Sequence, residues 1–496
     1  MGFFSSLLQT AAGGLLLASL VNAAPAPSTV VERQSTQKYV FAHFMMGIVG
    51  DRTSAADYDA DMQGAKAIGV DAFALNIGTD SSQTTQLEYA YESAANNGMS
   101  LFLSFDFNAG WSTSDAAAVG AKIADFAGKD AQLKVDDKVF ASTFVGDALD
   151  VAAVRSAAGV DIYFAPNFDP ALGTDMTTLD GALNWVGWPN NGANRAPTAS
   201  ANISVADGDE KYLAALSDTQ GYIAPVSPWF FTHFGQEVAS SFDPKNWLFP
   251  GDLLWYQRWN EVLTLDARFL EIITWNDYGE SHYIGPLSSK HYDDGNSKWT
   301  NDMPHNGWAD MAAPFIAAYK AGSTDVAAHI TSDKLVYWYR PAPKDVECDS
   351  TDNYGSKPDG YDTVADAVFV VTLLTAAAEV TITSGGNTQT VDAPAGAAAF
   401  QVPLGVGEQS FAVKRDGVAV AGLSGTSERD VVDECPCGIY NFNAYVGTLP
   451  TGTADALGAD GLNSFTVGLH VSTCSPTPTL AARGVAAAVE AEATAA

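Results

Sequence analysis

The chain is 496 residues long, 47% hydrophobic and 11% aromatic, enough for a large core and for more than one small domain. Its 25 Lys and Arg stand against 58 Asp and Glu, a formal net charge of −33. That charge argues against nucleic acid and anionic membranes as partners, since both are polyanions, and leaves neutral polymers unpenalised.

Residues 1–23 carry a run of small apolar residues ending Val21-Asn22-Ala23. This is the pattern of a signal-peptide core and cleavage site, although no positive charge precedes it. Secretion is therefore expected, with 24–37, beginning Ala24-Pro25-Ala26-Pro27, as the N-terminal segment of the mature chain. No later apolar run reaches about 18 residues, so no membrane span is expected. Four cysteines, Cys348, Cys435, Cys437 and Cys474, fall in the C-terminal third. In a secreted chain they predict two disulfides rather than a metal site. Cys435-Pro436-Cys437 is too tight to close on itself, so each of its cysteines pairs with Cys348 or Cys474, which leaves two connectivities. Asn202-Ile203-Ser204 is an N-glycosylation acceptor.

From residue 38 short apolar strands alternate with helical stretches. Strands are expected at Tyr39–Met45, Ala72–Ile77, Leu101–Asp106, Val139–Val145, Ile162–Asn167, Trp185–Trp188, Tyr222–Val226 and Phe269–Thr274. Helices are expected at Asp57–Ile68, Gln83–Asn97, Asp115–Phe126, Glu210–Ser217, Trp255–Leu265 and Trp308–Tyr319. Such alternation implies parallel βαβ units with right-handed crossovers. Eight of them over residues 38–330 have the size and count of a (β/α)8 TIM-like barrel. The first strand leads into Met46-Gly47-Ile48-Val49-Gly50-Asp51-Arg52, a poor phosphate loop, which disfavours a doubly wound sheet.

The texture changes near residue 331. Leu335–Arg340, Val368–Thr372, Glu379–Thr383 and Ser410–Val413 read as strands, and Ser384-Gly385-Gly386-Asn387 as a hairpin turn. Residues 331–475 are expected to form an all-β sandwich-like domain holding the disulfides. The tail 476–496, rich in Ala, Thr and Glu, is expected to be disordered. Its glutamates interrupt the hydrophobic run that a lipid-anchor signal requires.

In a (β/α)8 barrel the site lies at the C-terminal ends of the strands. Those ends carry His43, Asn76, Asp106 with Asn108, Asp147, Asn167 with Asp169, Trp188 with Asn190, and Trp229. Last comes the run Trp275-Asn276-Asp277-Tyr278-Gly279-Glu280-Ser281-His282. Each has an ordinary explanation; Asn167-Phe168-Asp169-Pro170, for one, is common turn chemistry. Their recurrence at strand after strand favours a site. Asp277 and Glu280 are either helix-capping residues or the two carboxylates that glycoside hydrolysis needs. Tryptophan faces stack on sugar rings, and Trp188, Trp229 and Trp275 are the choices for the cleft. The seven histidines show neither His-x-His nor His-Glu-x-x-His spacing. Gly-x-Ser-x-Gly is missing from the barrel region, and so is the DxxDxDxE run of chitinase-like barrels. No metal or organic cofactor is implied.

The runs Phe41-Ala42-His43-Phe44-Met45-Met46-Gly47, Ser104-Phe105-Asp106, Phe144-Val145-Gly146-Asp147, Ala165-Pro166-Asn167-Phe168, Pro225-Val226-Ser227-Pro228-Trp229-Phe230 and Thr274-Trp275-Asn276-Asp277-Tyr278-Gly279-Glu280-Ser281 together resemble glycoside hydrolase family 71, the fungal α-1,3-glucanases or mutanases. The resemblance spans roughly residues 38–475. It implies hydrolysis of α-1,3-glucan, a fungal wall polymer, with inversion at the anomeric carbon; a monomer is expected. It also implies Asp277 and Glu280 as the reacting pair, with Glu280 as acid and Asp277 as base. Inversion places the carboxyl groups about 6.5–9.5 Å apart. His43, Asp106, Asn108, Asp147, Asn167, Trp188, Trp229, Trp275, Asn276, Tyr278 and His282 are the expected substrate-binding residues, and Asp106 or Asp147 would replace a mispaired carboxylate. Two other readings are a barrel glycosidase for another glucan and a silent wall-glucan-binding protein. A partly buried acid should place the pH optimum below neutral.

Overall fold

Apolar runs without polar alternation suit strands covered on both faces, and Ala72–Ile77 is buried at every position. The computed structural model describes residues 37–235, 244–348, 354, 356–435 and 438–462. The expected signal peptide, Cys437, Cys474 and the C-terminal tail lie outside the described residues.

In chain order the first part is β1 (Tyr39–Met45), α1 (Asp59–Ala67), β2 (Ala72–Ile77), α2 (Ser82–Asn97), β3 (Ser100–Asp106), α3 (Ala116–Phe126), β4 (Lys134–Val135), β5 (Lys138–Phe144), α4 (Val151–Ala158), β6 (Ile162–Phe164), β7 (Gly181–Leu183), α5 (Val205–Ala215), β8 (Gly221–Val226), β9 (Phe231–Phe234), β10 (Lys245–Leu248), α6 (Leu254–Val262), β11 (Phe269–Ile272), α7 (Ser297–Thr300) and α8 (Asn306–Lys320). A nine-stranded sheet runs β4-β5-β3-β2-β1-β11-β8-β7, with β6 on the free side of β5. Its pairings are parallel except for the short β4–β5 ribbon. The sheet curls until β6 and β7 approach. There Asp180 N donates to Phe164 O at 3.0 Å and Leu183 N to Pro166 O at 2.9 Å. Between β6 and β7 two 3-10 turns (Pro170–Leu172 and Met176–Thr178) stand where the other crossovers carry a helix.

The inside of the curl is filled rather than open. Phe41, Phe102, Phe140, Tyr163 and Phe269 interlock there, with centroids 4.9 Å apart for Phe41–Phe102 and 4.7 Å for Phe102–Phe140. In place of the expected strand Trp185–Trp188 the sheet has β7 (Gly181–Leu183), and Trp185–Trp188 lies in the loop beyond it. A Cβ at Gly181 would stand 2.4 Å from Gly221 O, so only glycine lets β7 approach β8. The hairpin β9–β10, unexpected from sequence, is antiparallel and pairs Lys245 with Phe234.

The second part comprises β12 (Lys334–Tyr339), β13 (Ala367–Leu374), β14 (Ala378–Ser384), β15 (Asn387–Ala393), β16 (Gly396–Pro403), β17 (Gln409–Arg415), β18 (Val418–Thr426) and β19 (Tyr445–Leu449). They form two four-stranded antiparallel sheets, β16-β13-β12-β19 and β15-β14-β17-β18. Leu335, Tyr337, Val370, Val380, Ile382, Phe411 and Val413 share one core. The alternate residues Val336, Trp338, Phe369 and Val371 belong to the large core that also holds the helices of the curled sheet. A strand with period-two side chains thus meets two cores, which explains its unbroken apolar run. Trp338 Nε1 donates to Asp252 O at 2.8 Å and Tyr256 Oη to Ala397 O at 3.1 Å. The described residues fall in one compact unit. Cys348 is bonded to Cys435, with Cα atoms 5.4 Å apart. Asn202 is exposed. Among the described residues no helix is long and apolar enough to cross a membrane.

Candidate active site

The site grows out of β11. Its inward side chains are Phe269 and Glu271, and the latter meets His43 Nδ1 on β1 at 2.7 Å. Beyond Ile272 the chain is pinned to its neighbours. Trp275 N donates to His43 O at 2.8 Å, and Trp275 Nε1 to Asp61 Oδ1 on α1 at 2.9 Å. Asn276 Oδ1 accepts from Met45 N at 2.7 Å, while its Nδ2 donates to Met45 O at 3.2 Å. So anchored, residues 277–282 double back over the end of the sheet, closed by Thr274 N donating to His282 O at 2.9 Å. Ser281 takes φ +59°, the left-handed region, which is costly for a residue with a Cβ and concentrates at functional sites.

That turn brings three side chains together. His282 Nε2 is 3.1 Å from Glu280 Oε2 and 3.9 Å from Asp277 Oδ2. Asp277 N donates to Thr274 Oγ1 at 2.8 Å, and the same hydroxyl lies 3.1 Å from His282 Nδ1. The arrangement fits a tautomer whose Nε2–H points at Glu280. From β10, Lys245 Nζ reaches Glu280 Oε1 at 2.8 Å. Beneath the group, Trp188 and Phe230 pack on the His282 ring at 5.3 and 5.6 Å.

The electrostatics separate the two carboxyls. Burial raises the Asp277 carboxyl and Glu280 adds to that, while His282 and Lys245 offset only part of it. Burial works to raise Glu280 as well, but the Lys245 ammonium and the hydrogen bond from His282 outweigh it and bring that carboxyl down to about 2. A third carboxyl overlooks the loop: a Cβ on Gly279 would stand 3.2 Å from Asp294 Oδ2. Burial pushes Asp294 up to about 7; Asn296 pulls the other way, and the charges of Asp293 and Asp277 add to the rise. Asp106 is raised too, by burial, against the Asn108 N–H, Asn76, His43 and Lys245.

Asp277, Glu280 and His282 stand as one group, with an oxygen of each carboxylate and a His282 nitrogen within 4.8 Å of one another. Such ligand atoms are close enough for a small cation, but the Lys245 ammonium already brings positive charge to Glu280. The nearest oxygens of the two carboxylates lie within 4.8 Å of each other, with the His282 imidazole 3.1 Å from one and 3.9 Å from the other. His43 is fully buried with its ring 4.7 Å from Trp185, and Asp106 is 8% exposed at the end of β3. Asn108 is exposed, and its backbone N–H binds Asp106 Oδ1 at 2.8 Å.

Several expected cleft residues face elsewhere. Trp229 and Trp275 are each 2% exposed; Trp229 Nε1 donates to Phe442 O at 2.9 Å, and both indoles are covered by the core rather than offered to a sugar. Tyr278 is 1% exposed, donates to Pro286 O at 2.7 Å and stacks on His291. Trp188 supports His282 from below and donates to Trp229 O. Asp147 Oδ1 accepts from Asp169 N at 2.8 Å and Thr174 Oγ1 at 3.2 Å, bracing the loops after β5 and β6. Asn167 bridges the β6–β7 gap, with Nδ2 donating to Leu183 O at 3.0 Å and Oδ1 accepting from Val145 N at 3.3 Å. Sequence reasoning missed Lys245, Asp294 and Glu271. Only Glu271 carries a signal, being a charge inside an apolar strand at an inward position.

Two carboxyls shifted in opposite directions by their surroundings, over the strand ends of a curled α/β sheet, suit the acid and base roles that glycoside hydrolysis requires. The chain belongs to glycosyl hydrolase family 71, whose sequence profile matches residues 36–458. It is 43% identical over 434 residues to a mutanase of Penicillium rubens, covering 86% of this chain and 93% of that one. A glucan endo-1,3-alpha-glucosidase of Schizosaccharomyces pombe is 37% identical over 449 residues, covering 85% of this chain and 97% of that protein. A solved endo-alpha-mannosidase from Bacteroides thetaiotaomicron matches 58% of this chain and 98% of its own at a TM-score of 0.43 and 12% identity, too slight a likeness to add to these.

Proposed function

We propose that this enzyme hydrolyses the α-1,3-glucosidic bonds of α-1,3-glucan, with Asp277 as general acid and Glu280 as general base. The observation that carries the division of roles is the Lys245–Glu280 contact at 2.8 Å, which holds Glu280 ionised, while burial raises the Asp277 carboxyl and so favours its protonated form. The roles expected from sequence are thereby exchanged. Asp277 would give its proton to the glycosidic oxygen as the C1–O bond breaks. Glu280 would take a proton from the water whose oxygen bonds to C1. The names of the relatives support the α-1,3 linkage.

The family resemblance implies inversion, and we carry it as part of the proposal. It requires the sugar and water to enter between the pair, whose nearest oxygens now lie within 4.8 Å of each other. We read the curled sheet as a (β/α)8 barrel, its last seam closed by the backbone bonds between residues 164–166 and 180–183. We carry a secreted monomer acting on α-1,3-glucan as part of the proposal; secretion fits the apolar N-terminal run.

The test is reducing-sugar release from insoluble α-1,3-glucan by the wild type, Asp277→Asn and Glu280→Gln, each checked for folding. Both variants should lose roughly three orders of magnitude. Full activity in either would transfer its role to another carboxyl, with Asp106 next in line. Release from a β-1,3- or α-1,4-glucan instead would replace the substrate.

A further inference from the structure

Lys245 reaches Asp277 and Glu280 from outside the motif runs, and the way it is held says what it is for. It opens the second strand of the β9–β10 hairpin, and Phe231 N on the first strand donates to Glu280 O at 3.0 Å. The hairpin therefore binds the backbone of Glu280 with one strand and its side chain with the other. A two-stranded ribbon is marginal alone. This one is braced by the chain between β12 and β13, far away in sequence. Asn246 Nδ2 donates to Ser356 O at 3.1 Å, Asp359 N donates to Asn246 O at 3.1 Å, and Leu248 N donates to Asp359 O at 2.9 Å. Asn246 Oδ1 also meets His233 Nδ1 at 2.6 Å across the hairpin. The bracing segment is tied down in turn: Lys357 Nζ donates to Glu347 Oε1 at 2.6 Å, one residue before the Cys348–Cys435 disulfide. On the opposite face, Arg195 lies 3.9 Å over the Trp247 ring.

We propose that Lys245 is the positioning residue for Glu280, and that the 356–359 segment of the C-terminal part holds it there, so that this part completes the active site. The inference rests on Asp277 and Glu280 being the reacting pair. With Lys245 on Oε1 and His282 on Oε2, the carboxylate is fixed in plane and in charge, and each oxygen keeps a lone pair for water. The ionisable groups around it are Asp277 and His282 from the loop after β11, Asp294 from the loop before α7, and Asp106 from β3, whose carboxyl feels the Lys245 charge. Removing the ammonium lets the Glu280 pKa rise, so the acid side of the rate profile should move to higher pH.

The experiment is the pH profile of kcat and of kcat/KM on α-1,3-glucan for the wild type, Lys245→Met, Lys245→Gln, Lys245→Arg and Asn246→Ala, with Asp277→Asn and Glu280→Gln as controls. Loss of the charge should lower kcat by about 10²-fold, with KM changed little and the acid limb displaced upward. Lys245→Arg should keep the wild-type limb and recover much of the rate, and Asn246→Ala should move the limb in the same direction by less. Should both neutral variants lose rate equally at every pH, or Lys245→Arg behave like them, the lysine is merely structural and the proposal falls. Two neutral variants guard against one that fails to fold. If the two carboxyl controls stay active, the pair itself is wrong; if they are inactive while Lys245→Met matches the wild type, only this inference fails.

Discussion

Trp275 and Asp61, 214 residues apart, are joined by a hydrogen bond of 2.9 Å between the indole N–H and a carboxylate oxygen. The other oxygen of Asp61 accepts from Arg52 at 2.8 Å and from Ser289 at 2.7 Å, and Asp61 itself is fully buried. The first residue of the Trp275–His282 run is thus a peg driven into a buried ionic socket. Asp61→Ala leaves Arg52 buried without its carboxylate and should cost about 3–5 kcal/mol. Trp275→Phe removes one hydrogen bond to a charged group and should cost about 1.5–3 kcal/mol. Urea unfolding followed by far-UV circular dichroism measures both; equal stability of Asp61→Ala and wild type would dissolve the socket.

Asp294 gives a stability signature in pH. Its folded-state pKa, pushed up to about 7, lies above the ordinary aspartate value, so the folded protein holds the proton more tightly than the unfolded chain does. Its contribution is then full below the unfolded pKa near 4 and is lost as pH rises through about 7. Asp294→Asn should match the wild type at pH 4 and exceed it at pH 8. Melting temperatures at the two pH values check this, and a deficit at pH 8 would show the carboxylate to be stabilised instead.

The Cys348–Cys435 bridge spans 87 positions of sequence. Closing a loop of that order restricts the unfolded chain by about 4–5 kcal/mol in the entropy account, with native bridges typically giving about 2–5. Replacing both cysteines by serine should lower the unfolding free energy within that range. Non-reducing denaturation curves measure it, and a difference below about 1 kcal/mol would make the bridge incidental to stability.

Much of the fold was legible because strands covered on both faces spell themselves out. Ala72–Ile77 is recovered to the residue, and Tyr39–Met45 likewise. The Gly181–Leu183 strand was hidden, since nothing local says that Gly181 must admit the Gly221 carbonyl, while Trp185–Trp188 has the better β-propensity. The motif run pointed to Asp277, Glu280 and His282, which do meet. Trp229, Trp275 and Tyr278 share that neighbourhood in sequence, but their rings are large enough to be claimed by the core. Lys245 was illegible for a different reason: its meaning lies in a hairpin contact 35 positions away in sequence, and a lone lysine carries no pattern.

The two-faced strands β12 and β13 bear on how such a chain can be cut or inherited. Val336, Trp338, Phe369 and Val371 plug the same core as the helices around the curled sheet. A protease clip or an engineered stop near residue 330 would therefore uncover a greasy wall rather than liberate a tidy catalytic fragment. The C-terminal part is not luggage of the kind that modular enzymes shed, trade or duplicate between lineages. Any recombination that separates the halves must replace that wall, so exchange between relatives is expected to succeed only where both pieces travel together.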